Sequence, residues 1–321
     1  MCDTPKTLMD AIRYFADPEV CDAYMRKIKW PDGKVVCPHC GSDRIGEVKT
    51  RRLLRCKDCR RQISAKVGTI FESSPLGLDK WFVAVWSVAN CKNGISSHEL
   101  GRAIGVTQKS AWFMLHRVRL AMEAADEGGP FDGPAEADTT YVGGKAENMH
   151  KAKRAKVIKG RGTVGKTAVH GVLQRTENDS PSIIRAEVIE REDADTLLGI
   201  VRRHVKRGAE VYTDSAPAYA GLMTSHYHDA VDHSVEYVAD QIHTNGVENF
   251  WSLFKRSIKG TYVAIAPFHL FRYVGEQVCR FNSRKLNDGQ RFDAVMRRVT
   301  GRRLTYRVLC GIDGAGFMGL E

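Results

Sequence analysis

Two C-x2-C knuckles stand fifteen residues apart, Cys37-Pro38-His39-Cys40 and Cys56-Lys57-Asp58-Cys59, and leave the chain between them little freedom. Each knuckle is a tight turn that aims two thiolates at one point, and the residues between can close as a hairpin. Four thiolates, Cys37, Cys40, Cys56 and Cys59, fill a tetrahedral zinc ion and leave no open position, so the spacing predicts one structural Zn2+. Such a site contributes on the order of 10 kcal/mol to the folding of a small module. A redox dithiol pair is the alternative. His39, between two ligands, is read as a non-ligand. Cys2, Cys21, Cys91, Cys279 and Cys310 are scattered. With no secretion-type apolar stretch at the start of the sequence, scattered cysteines read as free thiols in a reducing compartment. The expected location is the cytoplasm. No apolar run reaches the roughly 18 residues of a spanning helix, so no membrane partner is expected.

A short helical lead-in and this module are expected to occupy residues 1–66. Residues 67–127 read as helical. Leu78 to Ala89 is rich in Trp81, Phe82, Val85 and Trp86. Ser96 and Glu99 have capping-box spacing at the head of the next helix. Gly105-Val106-Thr107 then reads as a tight turn, with Thr107 able to cap a third helix from Gln108. Ala111, Leu115, Val118 and Met122 line one face of that helix, with Lys109 and Arg119 toward others. Helix, glycine turn and capped basic helix fit a helix-turn-helix, with Lys109 and Arg119 as candidate DNA contacts. A helical pair that merely packs fits as well. The glycines and prolines of Asp126 to Pro134 mark a boundary, and 128–321 is read as one further region.

That region carries three acids in similar settings. Asp138 lies inside the strand-like run Ala137 to Val142. Asp214 ends the β-branched and aromatic run Val211-Tyr212-Thr213. Glu248 borders a helical face made by Val247, Phe250, Trp251, Phe254 and Ile258. A carboxylate in a strand interior is unfavourable unless it faces solvent or a cation. Brought together, three carboxylates repel unless cations neutralise them, and all-oxygen ligation suits Mg2+ or Mn2+. Three strands, a helix beginning near Asp193, the strand of Asp214 and later helices predict an α/β region, a mixed sheet flanked by helices. His243 and Asn245 precede Glu248; a metal contact is open for both, with a helix cap the favoured role for Asn245.

Net charge is +11, yet Lys34–Lys66, Lys145–Lys166 and Arg280–Arg307 together carry +21, which leaves the rest acidic. Concentrated basic stretches suggest a polyanion partner, here DNA, against the alternative of ordinary solvated faces. Lys153, Arg154 and Arg161 in the second stretch, and Lys255 and Arg256 beyond Glu248, are the candidate backbone contacts.

The chain from about residue 20 to 310 resembles bacterial insertion-sequence transposases of the DDE class, in the ISXO-type group that carries an N-terminal zinc ribbon. The resemblance rests on the two cysteine knuckles, Asp138-Thr139-Thr140-Tyr141-Val142-Gly143-Gly144-Lys145, and Tyr212-Thr213-Asp214. It continues with His243-Thr244-Asn245 through Glu248 to Lys255-Arg256, then Arg291-Phe292-Asp293 and Gly301-Arg302-Arg303-Leu304-Thr305-Tyr306. It implies a ribonuclease-H-like catalytic domain with Asp138, Asp214 and Glu248 as the metal-binding triad for two Mg2+ or Mn2+. It also implies strand cleavage and joining at terminal inverted repeats and target DNA, a homodimer or larger synaptic complex, and a phosphate held by Lys255. One position departs: the family usually has an acid after its first Asp, and this chain has Thr139. Neighbouring strand residues face opposite ways, so the exchange is expected to change local hydrogen bonding and not a ligand. A nuclease or resolvase of the same fold, and a DNA-binding regulator without catalysis, are the rival readings.

Overall fold

The computed structural model describes residues 5–48, 51–123, 128–143, 165–176, 180–231 and 243–312. Its contacts divide the chain into two units, Met1–Glu123 with Leu286–Glu321, and Ala124–Lys285. No helix among the described residues is long and apolar enough to cross a membrane.

The first unit opens with α1 (Leu8–Tyr14) and α2 (Pro18–Lys29), started by the side chains of Thr7 and Asp17, which accept from backbone N–H groups. An antiparallel sheet follows: β1 (Ile45–Val48), β2 (Leu53–Cys56) and β3 (Gln62–Ile63). Then come α3 (Leu78–Asn90), α4 (Ser97–Ile104) and α5 (Gln108–Met122). The predicted capping box is present in both directions, Glu99 N–H to Ser96 Oγ and Ser96 N–H to the Glu99 carboxylate. Gly105 ends α4 at φ 64°, a left-handed conformation that a side chain would strain, and Thr107 caps α5 through the N–H of Ser110.

α5 buries more than the expected stripe. Its predicted face of Ala111, Leu115, Val118 and Met122 is fully inside, and so is Arg119, at 1% exposure. Arg119 therefore cannot present its guanidinium to a DNA phosphate, which corrects the expectation from the sequence. The reason is that α5 packs against more than one neighbour, α3 and α4 among them, so it has no broad free face. Lys109, at the start of the helix, is exposed and lies over the Tyr306 ring, 5.0 Å from its centroid.

The second unit is built on a five-stranded sheet. Its strands are β4 (Ala135–Val142), β5 (Thr167–Gln174), β6 (Ile183–Ile189), β7 (Glu210–Asp214) and β8 (Tyr227–Val231), in the order β6-β5-β4-β7-β8. β4, β5 and β6 are antiparallel neighbours, whereas β4–β7 and β7–β8 are parallel, so the sheet is mixed as expected. Between β6 and β7 runs α6 (Ala194–His204), capped by Asp193, and after β8 come α7 (Asn245–Ser257) and α8 (Leu270–Asn282). Strand alternation sorts the two faces. Ala135, Ala137, Val172 and Val211 pack with Leu197 and Val201 of α6. Val169, Leu173 and Ile184 pack with Val247, Phe250, Trp251 and Phe254 of α7 and with Val274 and Phe281 of α8.

The chain then rejoins the first unit with α9 (Asp288–Met296) and α10 (Tyr306–Leu309). The sequence reading ran its third region from 128 to 321; the contacts assign the part after Lys285 to the first unit. Phe292 accounts for it. Its ring sits among Phe15, at the end of α1, and Phe82 and Trp86 of α3.

Candidate active site

β4 and β7 run side by side in register, Glu136 beside Tyr212 and Ala137 beside Thr213. The paired register ends there; Asp138 and Asp214 each follow its last pair by one residue, on neighbouring strands about 4.8 Å apart. Because Ala135 and Ala137 face α6, Glu136 and Asp138 face α7. That helix lies on β4 and β5 by its apolar stripe, with Val247, Phe250, Trp251 and Phe254 all at 4% exposure or less. Glu248 sits beside the stripe, exposed, and accepts from Thr244 Oγ1 at 2.9 Å.

An open groove of about 870 Å³ is lined by Asp138, Thr139, Glu248, Ser252, Lys255, Arg256 and their neighbours. The structure thus brings Asp138, Glu248, Lys255 and Arg256 to one surface, with Asp214 on the strand next to Asp138. Their carboxylates stand looser than the thiolates of the ribbon: among the described residues, the four cysteines, with sulfurs within 4.8 Å of one another, are the one group of three or more such side chains gathered closely enough to hold a metal. Like charge keeps carboxylates apart. The donor set is oxygen only, which fits a hard divalent cation such as Mg2+ or Mn2+ and not a thiophilic one.

Electrostatics mark Asp138 as the stressed member. Burial pushes its carboxyl up to about 6, and the negative charges of Asp214 and Glu248 push the same way. The Thr139 N–H and the Trp251 indole oppose them. The folded chain holds a proton that the unfolded chain has lost from about pH 4 to 6, so stability falls as pH rises through that window. At neutral pH the ionised Asp138 destabilises the metal-free fold by on the order of 3 kcal/mol. Asp138→Asn is therefore expected to raise the melting temperature at pH 7.5 in magnesium-free buffer with zinc retained, and to gain nothing at pH 4. Equal gains at both pH values would show that the buried charge is not the cause.

Asn245 is the first residue of α7 and exposed, not its cap; Thr244 precedes the helix and spends its hydroxyl on Glu248. His243 is held by Arg175, whose Nη2 lies 3.1 Å from His243 Nδ1. Thr139 faces the α6 side and its Oγ1 meets His170 Nδ1 at 3.0 Å. Lys153, Arg154 and Arg161 lie outside the described residues. Three contacts are not legible in the sequence. Glu136, 1% exposed, pairs with Arg175 and accepts from the Val247 N–H, and Trp251 donates to Asp138. A carboxylate two residues before Asp138 in the same strand was the one available hint.

In the cysteine module the four sulfurs are gathered within 4.8 Å, with Cys37–Cys59 at 3.6 Å and Cys40–Cys56 at 3.5 Å. A tetrahedral zinc with Zn–S near 2.3 Å needs sulfurs about 3.8 Å apart, so the set fits zinc. Gly41 takes φ 75° at the end of the first knuckle and Arg60 φ 58° at the end of the second. Leu54, Cys56 and Ile63 are buried between knuckle and hairpin, and His39 lies outside with its ring 3.3 Å from Arg61 Nη1.

Residues 130–282 match the ISXO2-like transposase domain and residues 16–62 match the transposase zinc-ribbon domain. A transposase-like protein of Haemophilus influenzae is 32% identical over 100 residues, 80% of its own length and 31% of this chain. The chain belongs to the ISXO2-like transposase family. A protein in the transposable element ISH50 of Halobacterium salinarum is 29% identical to this transposase over 262 residues, 77% of the chain and 85% of the relative. No solved structure matches. The transposase thus joins a zinc ribbon to a region built on the mixed sheet, as the resemblance implied.

Proposed function

We propose that this transposase cuts a phosphodiester at each end of its insertion sequence and joins the freed 3′-hydroxyl to target DNA. Asp138, Asp214 and Glu248 are its metal ligands. The observation that supports the reading is the register of β4 and β7, whose last pair, Ala137 with Thr213, is followed on each strand by an acid, while the helix of Glu248 packs on β4. Two divalent cations, Mg2+ or Mn2+, would supply an activated oxygen nucleophile and neutralise charge on the leaving oxygen. The rest falls to the chain. Lys255 and Arg256, in the same groove as Asp138 and Glu248, hold the phosphates that flank the scissile bond. The groove is open, as a duplex end requires.

Three antiparallel strands, a helix, then a parallel strand that ends in an acid support a ribonuclease-H-like assignment for the second unit. Arg51, Arg52, Arg55, Lys57 and Arg60 are exposed on the zinc ribbon, and with Lys109 on α5 they supply the charge to hold terminal-repeat DNA. Joining two ends requires two such sites, hence a homodimer or larger synaptic complex, working in the cytoplasm.

The test is a strand-transfer assay with labelled element-end DNA, a plasmid target and Mg2+. Joined product is expected. Nicked ends without joining would instead identify a nuclease or resolvase, and binding without any cleavage a regulator.

A further inference from the structure

Glu136 and Asp138 lie two residues apart on the face of β4 that meets α7. Val247 and Trp251 lie four residues apart on the face of α7 that meets β4. Two strand residues span about 6.7 Å, and four helical residues about 6 Å. The two rows therefore meet in step, and each pair is bonded. The Val247 N–H donates to Glu136 Oε2 at 2.9 Å, and the Trp251 indole Nε1–H donates to Asp138 Oδ2 at 2.9 Å. Glu136 is itself fixed from behind by Arg175, whose Nε donates to Oε1 at 2.8 Å.

Two glycines make room for these bonds. A Cβ on Gly246 would stand 2.8 Å from Glu136 Oε2. A Cβ on Gly171, which faces Asp138 across the β4–β5 pair, would stand 2.8 Å from Trp251 Cζ2. Glycine weakens a strand interior, so its presence there marks a close approach, here of the indole to the sheet. Glu248 lies between the two tethers, one residue after Val247 and three before Trp251.

We propose that Trp251 is a positioning residue for the carboxylate cluster. Its indole fixes the rotation of the Asp138 carboxylate and, with the Glu136 tether one turn earlier, fixes where Glu248 stands over the strands. The inference rests on the reading of Asp138, Asp214 and Glu248 as ligands of a divalent cation. Trp251 then acts one bond behind a ligand, where loss of a partner commonly weakens metal binding about 10–100-fold.

The experiment measures Mn2+ binding to the zinc-loaded full chain by calorimetry, beside melting temperature. Trp251→Phe keeps an aromatic ring in the apolar seam and removes the donor. It is expected to weaken Mn2+ binding at least about 10-fold. Gly171→Ala, which displaces the indole without touching it chemically, is expected to reproduce the loss. A lowered melting temperature with unchanged Mn2+ affinity would show a purely structural role and overturn the inference. Wild-type protein supplies a second readout that needs no variant. Trp30, Trp81, Trp86 and Trp112 all lie in the first 123 residues, so a single tryptophan belongs to the sheet unit. With 5-fluorotryptophan incorporated, the Trp251 fluorine resonance is expected to shift on saturation with Mg2+; a resonance that stays in place overturns the inference. Asp138→Asn separates the two levels. If it abolishes Mn2+ binding while Trp251→Phe does not change it, the positioning role alone fails. If Asp138→Asn binds Mn2+ like wild type, the reading of the site fails.

Discussion

Asp214→Asn is expected to lower cleavage of element-end DNA in Mg2+ by about a thousandfold or more, as removal of a central catalytic group commonly does. DNA-end binding should stay within a few-fold. The substitution is nearly isosteric. Asp214 ends β7 and its Oδ1 accepts the N–H of Ala216 at 3.3 Å, a bond an amide oxygen can still make. What the change removes is one negative charge at the mouth of the sheet, beside Asp138. An amide oxygen is a poorer ligand for a hard dication, and the loss falls on the chemical step and not on the fold. Single-turnover cleavage and gel-shift binding, measured side by side, separate the two. Cleavage that persists unchanged would remove Asp214 from the ligand set and with it the register argument that pairs it with Asp138. The Asp138→Asn protein is expected to be equally inactive but more heat-stable at neutral pH, which ties the loss of activity to charge and excludes unfolding as its cause.

Cys56→Ser is expected to release the zinc and unfold the ribbon. Cys56 is fully buried, and the module has little else to hold it: its core is Cys37, Leu54, Cys56 and Ile63 with a few half-buried neighbours. A core that small cannot offset chain entropy alone, so loss of a site worth on the order of 10 kcal/mol leaves the segment disordered. The bound zinc should fall from about one per chain toward zero. Limited proteolysis should then open between residues 34 and 66, and end binding should weaken. The two apolar clusters of the mixed sheet contain no ribbon residue, so the far-ultraviolet signal of that unit should survive. A Cys56→Ser protein that keeps one zinc and resists proteolysis would point to a different fourth ligand.

These residues differ in how far they could be read along the chain. The cysteine knuckles, the Ser96–Glu99 box, the Thr107 cap and the Asp193 cap are all present where their spacing puts them, because each involves groups within a few positions of one another. The strand character around Asp138 and Asp214 was equally local. Asn245 was misread although the signal was local: the helix begins one residue earlier than a capping Asn would allow, and Thr244 bonds Glu248 instead.

The contacts that shape the site are of another kind. Glu136 meets Arg175 across 39 residues and Val247 across 111, and Asp138 meets Trp251 across 113. In sequence, Trp251 is one more apolar residue of a helical face, and nothing nearby distinguishes its indole N–H as the partner of a distant carboxylate. Arg119 shows the converse. Its charge promised a surface position, and only the helices packed around α5 put it inside.

From the sequence alone came the zinc ligands, the helix boundaries set by caps, the alternation that turns Asp138 and Thr139 to opposite faces, and the three acids themselves. Spacing and backbone chemistry act within a turn or two of chain, so the order of residues suffices. Tertiary structure alone decided that the strands ending toward Asp138 and Asp214 are neighbours, that Trp251 and Glu136 tether the helix of Glu248, that Arg119 is buried, and that the segment from Leu286 packs with the first unit. Those outcomes depend on which distant apolar faces bury each other best, a sum over many weak contacts that no single stretch of the chain contains.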